Sequence, residues 1–323
     1  MNILIAPLNW GLGHATRCAT LIRRYLNEGH QVVIAGDGDS LTWLKREFPS
    51  LCSLTLPHLH LHYGRGKSQV CAMLRALPQL IRWAILDHVA LRDILAIEHF
   101  DLVISDNRFG FYPSSSFVRS HTQAIRSVYI THQVHIRLPR SWRWLDDMAT
   151  RAHAWVINRY DQLWIPDYAQ YPSLAGELSH GFHPNRIAAK VSYIGPLSRF
   201  SPSEDNQPAM PPYTVAVLSG LEPQRTLLEQ QLLERFRQSD ELFVLVQGLV
   251  GKPNTVIHSG NITIHPWMND CDLQATLSHA THIIARSGYT TIMDLTALGL
   301  MSRAEFYPTP GQPEQEYLSC LHS

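Results

Sequence analysis

The feature that most constrains how this 323-residue chain can fold is a repeated alternation. Short β-branched apolar runs end in glycine or polar residues and give way to stretches with apolar residues three and four apart. That pattern predicts strands buried on both faces with helices packed over them, as in a parallel α/β sheet. NILIAPL (2–8) predicts the first strand. A helix follows from His14, with Ala15, Cys18, Ala19, Ile22 and Leu26 forming its stripe and Gly29 stopping it. QVVIAGD (31–37) predicts a second strand and 41–48 a helix. The run recurs at FDLVISDN (100–107), AIRSVYITHQ (124–133) and YDQLWIPD (160–167), with a helical stretch at 69–99. Residues 168–190 are weakly patterned and read as irregular.

The alternation breaks at PLSRFSPSEDNQPAMPPY (196–213), whose five prolines exclude a helix or sheet interior. It then restarts. Strands are predicted at 214–220, 241–248, 261–267, 281–288 and 303–311, with helices at 227–236, 273–280 and 290–299. The length supports the same division, because single cores seldom grow past about 250–300 residues. Two Rossmann-like domains are therefore expected, at 1–197 and 213–323, joined by a linker at 198–212. Their strand ends would face one another across a cleft, a common ligand site.

Charge excludes some partners. The 27 Lys and Arg cancel the 27 Asp and Glu, so nothing points to nucleic acid. Locally, residues 108–160 hold eight Arg against Asp146 and Asp147, with Trp142 and Trp144 nearby. This reads as a solvated surface or as a face for phosphates or an anionic membrane. Five scattered cysteines without a CxxC pair fit core thiols in a reducing compartment. The start lacks a basic stretch ahead of its apolar residues, and no uncharged run reaches bilayer-spanning length. The expected location is cytoplasmic, with peripheral contact at the inner face of the membrane left open.

The second half offers three loops after strands. In ARSGYTTIMD (285–294), Ser287 and Gly288 end a strand, and Thr290 and Thr291 open a helix. Free amides and the helix dipole favour an anion there, and Asp294 is placed to accept from ribose hydroxyls. The plainer reading is an ordinary cap. LSGLEPQRT (218–226) brings Ser219 and Gly220, with Arg225 in reach of a phosphate or simply solvated. In PTPGQPEQEY (308–317), Gln312 and Gln315 suit sugar hydroxyls, or a capping cluster. Trp267 offers a surface for a base, or a core side chain.

In the first half, NWGLGHATR (9–17) lacks the third glycine of a dinucleotide fingerprint, and only Asp37 comes near the acidic position that fingerprint expects. His14 at the helix start reads as a proton acceptor or as a packed cap, with Arg17 one turn on. Asp106, Arg108 and His132 also lie at polar strand ends. Asp106 is a second base candidate; Arg17, Arg108 and His132 are acceptor-binding candidates. His58, His60 and His62 alternate along an extended stretch, but no nearby Cys or carboxylate completes a metal site. GRGK (64–67) is not a Walker loop.

Together GLGHATR, ISDNRFG, ITHQ, LSGLEPQRT, RSGYTTIMD and PTPGQPEQEYL resemble nucleotide-sugar glycosyltransferases of the two-Rossmann-domain (GT-B) type. The likeness covers both halves and is nearest the branch of the peptidoglycan N-acetylglucosaminyltransferase and the galactolipid synthases. It implies a hexosyl transfer from a nucleotide-diphosphate sugar, UDP-linked, to an acceptor hydroxyl, such as that of a lipid at the membrane surface. No cofactor or metal is implied. The glycine-rich first loop resembles Gly11 to His14, with Gly13 near the donor and His14 as base or acceptor contact. The donor loop and helix resemble Ser287 to Asp294, where the family has Glu at the last position. The family's sugar-binding glutamine resembles Gln315, with Gln312 the alternative. Two departures stand out. EYLSCLHS stops a few residues into the expected crossover helix, and Arg303 and Glu305 occupy an expected apolar strand. Nucleotide-sugar epimerisation or hydrolysis, and non-catalytic nucleotide-sugar binding, are the alternatives.

Overall fold

The computed structural model describes residues 1–58, 69–113, 125–201, 208, 210–220 and 222–323, with backbone alone over 69–77. The chain divides into two compact units. The first comprises 1–9, 14–62 and 68–197; the second comprises 10–13, 63–67 and 198–323.

The first unit is built on a seven-stranded parallel sheet. Its strands are β1 (Asn2–Pro7), β2 (Gln31–Gly36), β3 (Ser53–Thr55), β4 (Leu102–Asp106), β5 (Arg126–Ile130), β6 (Gln162–Ile165) and β7 (Lys190–Tyr193). They lie in the order β3-β2-β1-β4-β5-β6-β7. The chain runs outward from β1 to β3, then returns to β4 on the other flank of β1. Loops after β1 and β4 leave in opposite directions, which opens a crevice at their carboxyl ends. The helices are α1 (Gly13–Asn27), α2 (Gly38–Glu47), α3 (Gln69–Ile97), α4 (Asp146–Ile157) and the single turn α5 (Glu177–His180).

Strand register fixes which helices share a layer. Leu4 pairs with Val103, while Ala6 pairs with Ser105, which pairs with Tyr129, which pairs with Leu163. These residues point to one face, because side chains alternate along a strand. Leu91 and Leu95 of α3 pack with Leu4, Ala6 and Val103. Ala154 and Ile157 of α4 pack with Tyr129 and Leu163. Helices α3 and α4 therefore cover the same face of the sheet.

The second unit has a six-stranded sheet, ordered β10-β11-β9-β8-β12-β13. Here β8 is Tyr213–Val217, β9 Leu242–Val246, β10 Ile257–Ser259, β11 Ile262–His265, β12 His282–Ala285 and β13 Ala304–Phe306. Strand β10 runs antiparallel to β11; the others are parallel. Its helices are α6 (Gln224–Arg237), α7 (Asp270–His279), α8 (Tyr289–Ala297) and α9 (Pro313–Leu321). The order again switches direction, here between β8 and β12. At the end of β9, Gly248 has φ 72°, and a Cβ there would lie 2.6 Å from the Leu218 carbonyl oxygen. That approach requires glycine.

The expected strands and helices all occur; the strands are shorter than expected, and helices α2, α6 and α7 begin about three residues earlier, at Gly38, Gln224 and Asp270. Three strands were not anticipated. β3 and β10 span three residues each, and β7 (KVSY) is a half-buried edge with polar residues, so none carries a clear apolar run. Helix α4 was also unforeseen behind the basic stretch; its buried face is Thr150, His153, Ala154 and Ile157. Strand β13 explains the charges in the last strand. It is the sheet edge, where Glu305 meets His282 at 2.8 Å, and Arg303 donates to the carbonyls of Ser278 and Ala280.

Ile5 lies fully buried at the centre of β1, paired with Ile34 and Ile104. Ile5→Ala is expected to lower the stability of the first unit by about 2–5 kcal/mol. Urea unfolding checks this; a loss below about 1 kcal/mol would mean that the core collapses around the missing atoms.

Candidate active site

At the first unit's crevice, β4 delivers Asp106 and the opening turns of α1 deliver His14 and Arg17. Asp106 is fully buried and Arg17 nearly so. The Arg17 Nε donates to Asp106 Oδ2 at 2.5 Å, and its Nη2 bonds to Oδ1. This two-pronged geometry is the strongest way an arginine holds a carboxylate. His14 Nδ1 lies 3.0 Å from Asp106 Oδ1 and 2.8 Å from Arg17 Nη2. His132, buried at the end of β5, places Nδ1 3.4 Å from Arg17 Nη1. The structure thus brings together His14, Arg17, Asp106 and His132.

Electrostatics divides their roles. Burial pushes the Asp106 carboxyl up, but Arg17 and His14 outweigh it and hold it well below the usual carboxylate range. Asp106 is therefore an anion without access to solvent, which corrects its expected part as a base. His14 remains 15 % exposed. Burial first, and Arg17 second, lower its pKa, while Asp106 pulls the other way. The imidazole is neutral at pH 7. Asp106 favours the proton on Nδ1, whereas the Arg17 Nη2 donor favours it on Nε2; in the tautomer with Nδ1–H donated to Asp106, Nε2 keeps its lone pair. Among the described residues Nε2 has no hydrogen-bond partner.

Arg108 is elsewhere. Asn107, at φ 58°, turns the chain after Asp106 and sends the next side chain inward. Arg108 is fully buried, with Nε and Nη2 on Asp87 at 3.0 and 2.8 Å and Nη1 on Asp37 at 2.6 Å. It also donates to the Pro7 and Pro57 carbonyls at 3.3 Å, and its guanidinium lies 5.0 Å over the Trp83 ring. Its acceptor-binding part is corrected to a structural one: it joins the ends of β1, β2 and β4 to α3. Asp37, the residue nearest a dinucleotide carboxylate, is taken up by Arg108, by His58 at 2.6 Å and by Asn9 at 3.3 Å. Burial raises Asp87 despite Arg108. His60, His62 and GRGK lie outside the described residues. Among the described residues no group of three or more His, Cys, Asp or Glu is placed to hold a metal ion.

In the second unit, β12 ends at Ala285, and Gly288 caps α8. Thr290 and Thr291 lie in the first turn of α8. Ser287 is buried and donates to the Gln315 carbonyl at 2.7 Å. Gln315 Oε1 accepts from the Thr309 amide at 2.8 Å, and Gln312 is the N-cap of α9. Ser219 and Gly220 follow β8, with Gly220 at φ 97°. Gly13 opens α1 and is grouped with this unit.

Three expected donor contacts are otherwise engaged. Arg225 is buried and donates to Glu222 and Glu229 at 2.8 Å each. Asp294 is buried in the second turn of α8; it accepts from Ser198 Oγ at 2.7 Å and lies 3.5 Å from Arg199. Burial raises its pKa despite Arg199. Trp267 Nε1 donates to the Lys252 carbonyl at 3.0 Å.

The sequence reading passed over the buried cation at this crevice, Arg286. It donates to the carbonyls of Tyr307, Pro308 and Gln224 at 3.2, 3.0 and 2.7 Å, and its Nε has no partner. No carboxylate among the described residues pairs with it. Burial lowers its pKa to about 10, so it stays charged at neutral pH. Its signal was its place in RSG, between a strand end and a helix start.

Arg108→Met would strand Asp37 and Asp87 in the interior and is expected to cost about 3–5 kcal/mol in thermal or urea unfolding. A second prediction follows from the lowered pKa values of His14 and Asp106. Below each unfolded-state value, near 6.5 and 3.8, the unfolded chain binds more protons than the folded one. Stability should therefore fall as pH drops below about 6.5, and again below about 4. Burial lowers the His153 pKa to about 4, so His153 contributes to the first decline as well; His14→Gln should lessen that decline and leave the second, as read from unfolding midpoints across pH.

No family model matches the chain. Among curated proteins it is similar to an uncharacterized glycosyltransferase of Methanosarcina acetivorans, with 23% identity over 331 residues, covering 98% of this chain and 82% of the relative. An uncharacterized glycosyltransferase of Methanosarcina mazei matches with the same identity and coverage. Among solved structures it is similar to the calicheamicin glycosyltransferase CalG4 (TM-score 0.59, 14% identity, 98% of this chain and 82% of that one). It is also similar to Phytolacca americana UGT2 complexed with UDP-2fluoro-glucose and pterostilbene (TM-score 0.59, 14% identity, 99% and 82%). Relatives and fold agree in kind: the curated relatives are named glycosyltransferases, and the chain shares with the solved glycosyltransferases the GT-B fold of two Rossmann-like domains.

Proposed function

We propose that the chain transfers a sugar from a nucleotide-diphosphate donor, UDP-linked, to an acceptor hydroxyl. The second unit holds the donor and the first supplies the base. The observation that carries this reading is the second unit's crevice, where a buried arginine without a carboxylate partner lies behind a helix start. A diphosphate brings the missing negative charge, and the free amides at the start of α8 donate to its oxygens. UDP sugars bound to Phytolacca americana UGT2 and to Arabidopsis thaliana UGT89C1, a second protein similar in fold, favour uridine as the base. The motif resemblance favours the branch of the peptidoglycan and galactolipid enzymes.

In the reaction, the acceptor oxygen attacks the anomeric carbon and forms the new glycosidic bond as the bond to the diphosphate breaks. The electron pair leaves on the diphosphate, stabilised by Arg286 and the α8 amides. His14 Nε2 takes the acceptor proton. Asp106 stays ionised, fixes the proton on Nδ1 and stabilises the imidazolium that forms; Arg17 holds Asp106 in place. Ser287, Gly288, Thr290, Thr291 and Gln315 shape the donor loop. Ser219, Gly220 and Gly13 permit close approach of backbone to donor.

Calorimetric titration with a UDP-sugar panel should show saturable binding; absence of binding by any nucleotide sugar would refute the reading. His14→Ala should reduce kcat by about 10²–10⁴-fold while leaving donor affinity within about twofold. A proportional loss of donor affinity would make His14 a binding residue instead.

A further inference from the structure

A nucleotide is read through its phosphates, its sugar hydroxyls and its base. A ribose hydroxyl donates well to an ionised carboxylate, which is how dinucleotide folds recognise ribose. In the second unit α6, α7 and α8 follow parallel strands and begin at the crevice edge. Glu222, Glu229, Asp270 and Asp294 stand near those starts, and an arginine holds every one. Arg225 takes Glu222 and Glu229; Arg199 donates to Asp270 at 2.9 Å and lies 3.5 Å from Asp294. Asp294 is the one acid in α8, the helix whose start is proposed to hold the diphosphate.

The oxygens of Asp294 are turned to the segment with which the chain re-enters this unit. Oδ1 accepts from the Ser198 hydroxyl at 2.7 Å, and Oδ2 faces Arg199. That segment is fixed in its own right. Ser198 Oγ also accepts from the Phe200 amide at 3.0 Å. Phe200 is buried with Leu273 and Leu277 of α7 and Leu295 of α8, and the Arg199 guanidinium lies 4.8 Å over its ring. Residues 198–200 therefore cannot swing aside without opening the core between α7 and α8. Turning the buried carboxylate away from them instead would take a counter-charge from Arg199, and one ribose hydroxyl does not offset the loss of a buried ion pair. We propose that Asp294 anchors the entering chain instead of reading ribose, so that 2′-deoxynucleoside diphosphate donors bind as tightly as their ribose counterparts. The inference rests on the donor reading above and narrows it: phosphate and base select the donor, and the 2′-hydroxyl does not.

Calorimetric titration of the full chain with UDP and with 2′-deoxy-UDP tests it, because the two differ by a single oxygen. Their Kd values should agree within about threefold, since a hydroxyl that no charged group receives adds little. Asp294→Asn should leave that ratio unchanged while lowering the thermal unfolding midpoint, because it removes a counter-charge from Arg199. A carboxylate that reads the hydroxyl would favour UDP by at least about tenfold. Such a preference in the wild-type protein overturns the proposal, whether or not the variant folds. So does an Asp294→Asn variant that loses affinity for UDP alone. If neither diphosphate binds, the phosphate site of the donor reading fails and the inference falls with it; binding of UDP with rejection of 2′-deoxy-UDP leaves the donor reading standing and removes only the inference.

Discussion

The clasp of Arg17 on Asp106 is the interaction on which the first crevice depends. A carboxylate at the end of a central strand has no water to solvate it, and an arginine in the first turns of α1 has little. Each makes the other's burial tolerable. Their pairing also fixes where α1 begins relative to β4, and therefore where His14 stands. A histidine alone at a helix start would be free to rotate. Here Nδ1 is confined by both partners of the ion pair, and one ring nitrogen remains for chemistry. The side chain proposed as the base is thus positioned by a salt bridge.

The two charge clusters at this edge illustrate how one residue of backbone separates structure from function. Asp106 and Arg108 are two positions apart, yet they belong to different networks. Asn107 makes the difference. Its left-handed conformation is one that asparagine tolerates better than most side chains, and its side chain accepts from Tyr129 at 3.1 Å. The turn sends Arg108 down to Asp37 and Asp87 and leaves Asp106 to Arg17. With Asp37 engaged in that way, the position that would bind ribose in a dinucleotide fold is taken up by Arg108, His58 and Asn9.

Much of the fold was legible because parallel strands buried on both faces announce themselves as apolar runs. NILIAPL and QVVIAGD needed no other signal. What escaped were elements with little burial to enforce a pattern: β3, β7 and the β10 hairpin strand. The site was legible as a set of strand-end residues, and His14, Arg17, Asp106 and His132 do converge. The division of labour among them was not. The sequence offers His14 first and Asp106 second as bases without excluding either; burial and the Arg17 geometry separate their roles. Arg108 and Asp294 show the same blind spot. A charged residue in a suggestive loop looks available until its long-range partner is known. For Arg108 those partners are Asp37 and Asp87, 71 and 21 positions away.

Arg286 reverses that logic and is the ground for proposing the anion in the second crevice. In the first unit the buried arginines are matched: Arg17 by Asp106, Arg108 by two carboxylates. In the second unit Arg225 is matched by two glutamates, whereas among the described residues Arg286 meets only carbonyl oxygens. Carbonyl dipoles solvate a guanidinium without neutralising it, so the fold carries an unbalanced positive charge at a helix start. Such a charge costs stability in the free protein, as its lowered pKa records. Its hydrogen bonds also tie the end of β12 to the loops after β8 and β13. The same side chain thus gathers the three loops of the crevice and gives it the positive charge on which the proposed donor site rests. A residue kept only for architecture would be served as well by a neutral donor. The retained charge is the physical reason for placing the nucleotide in the second unit rather than the first.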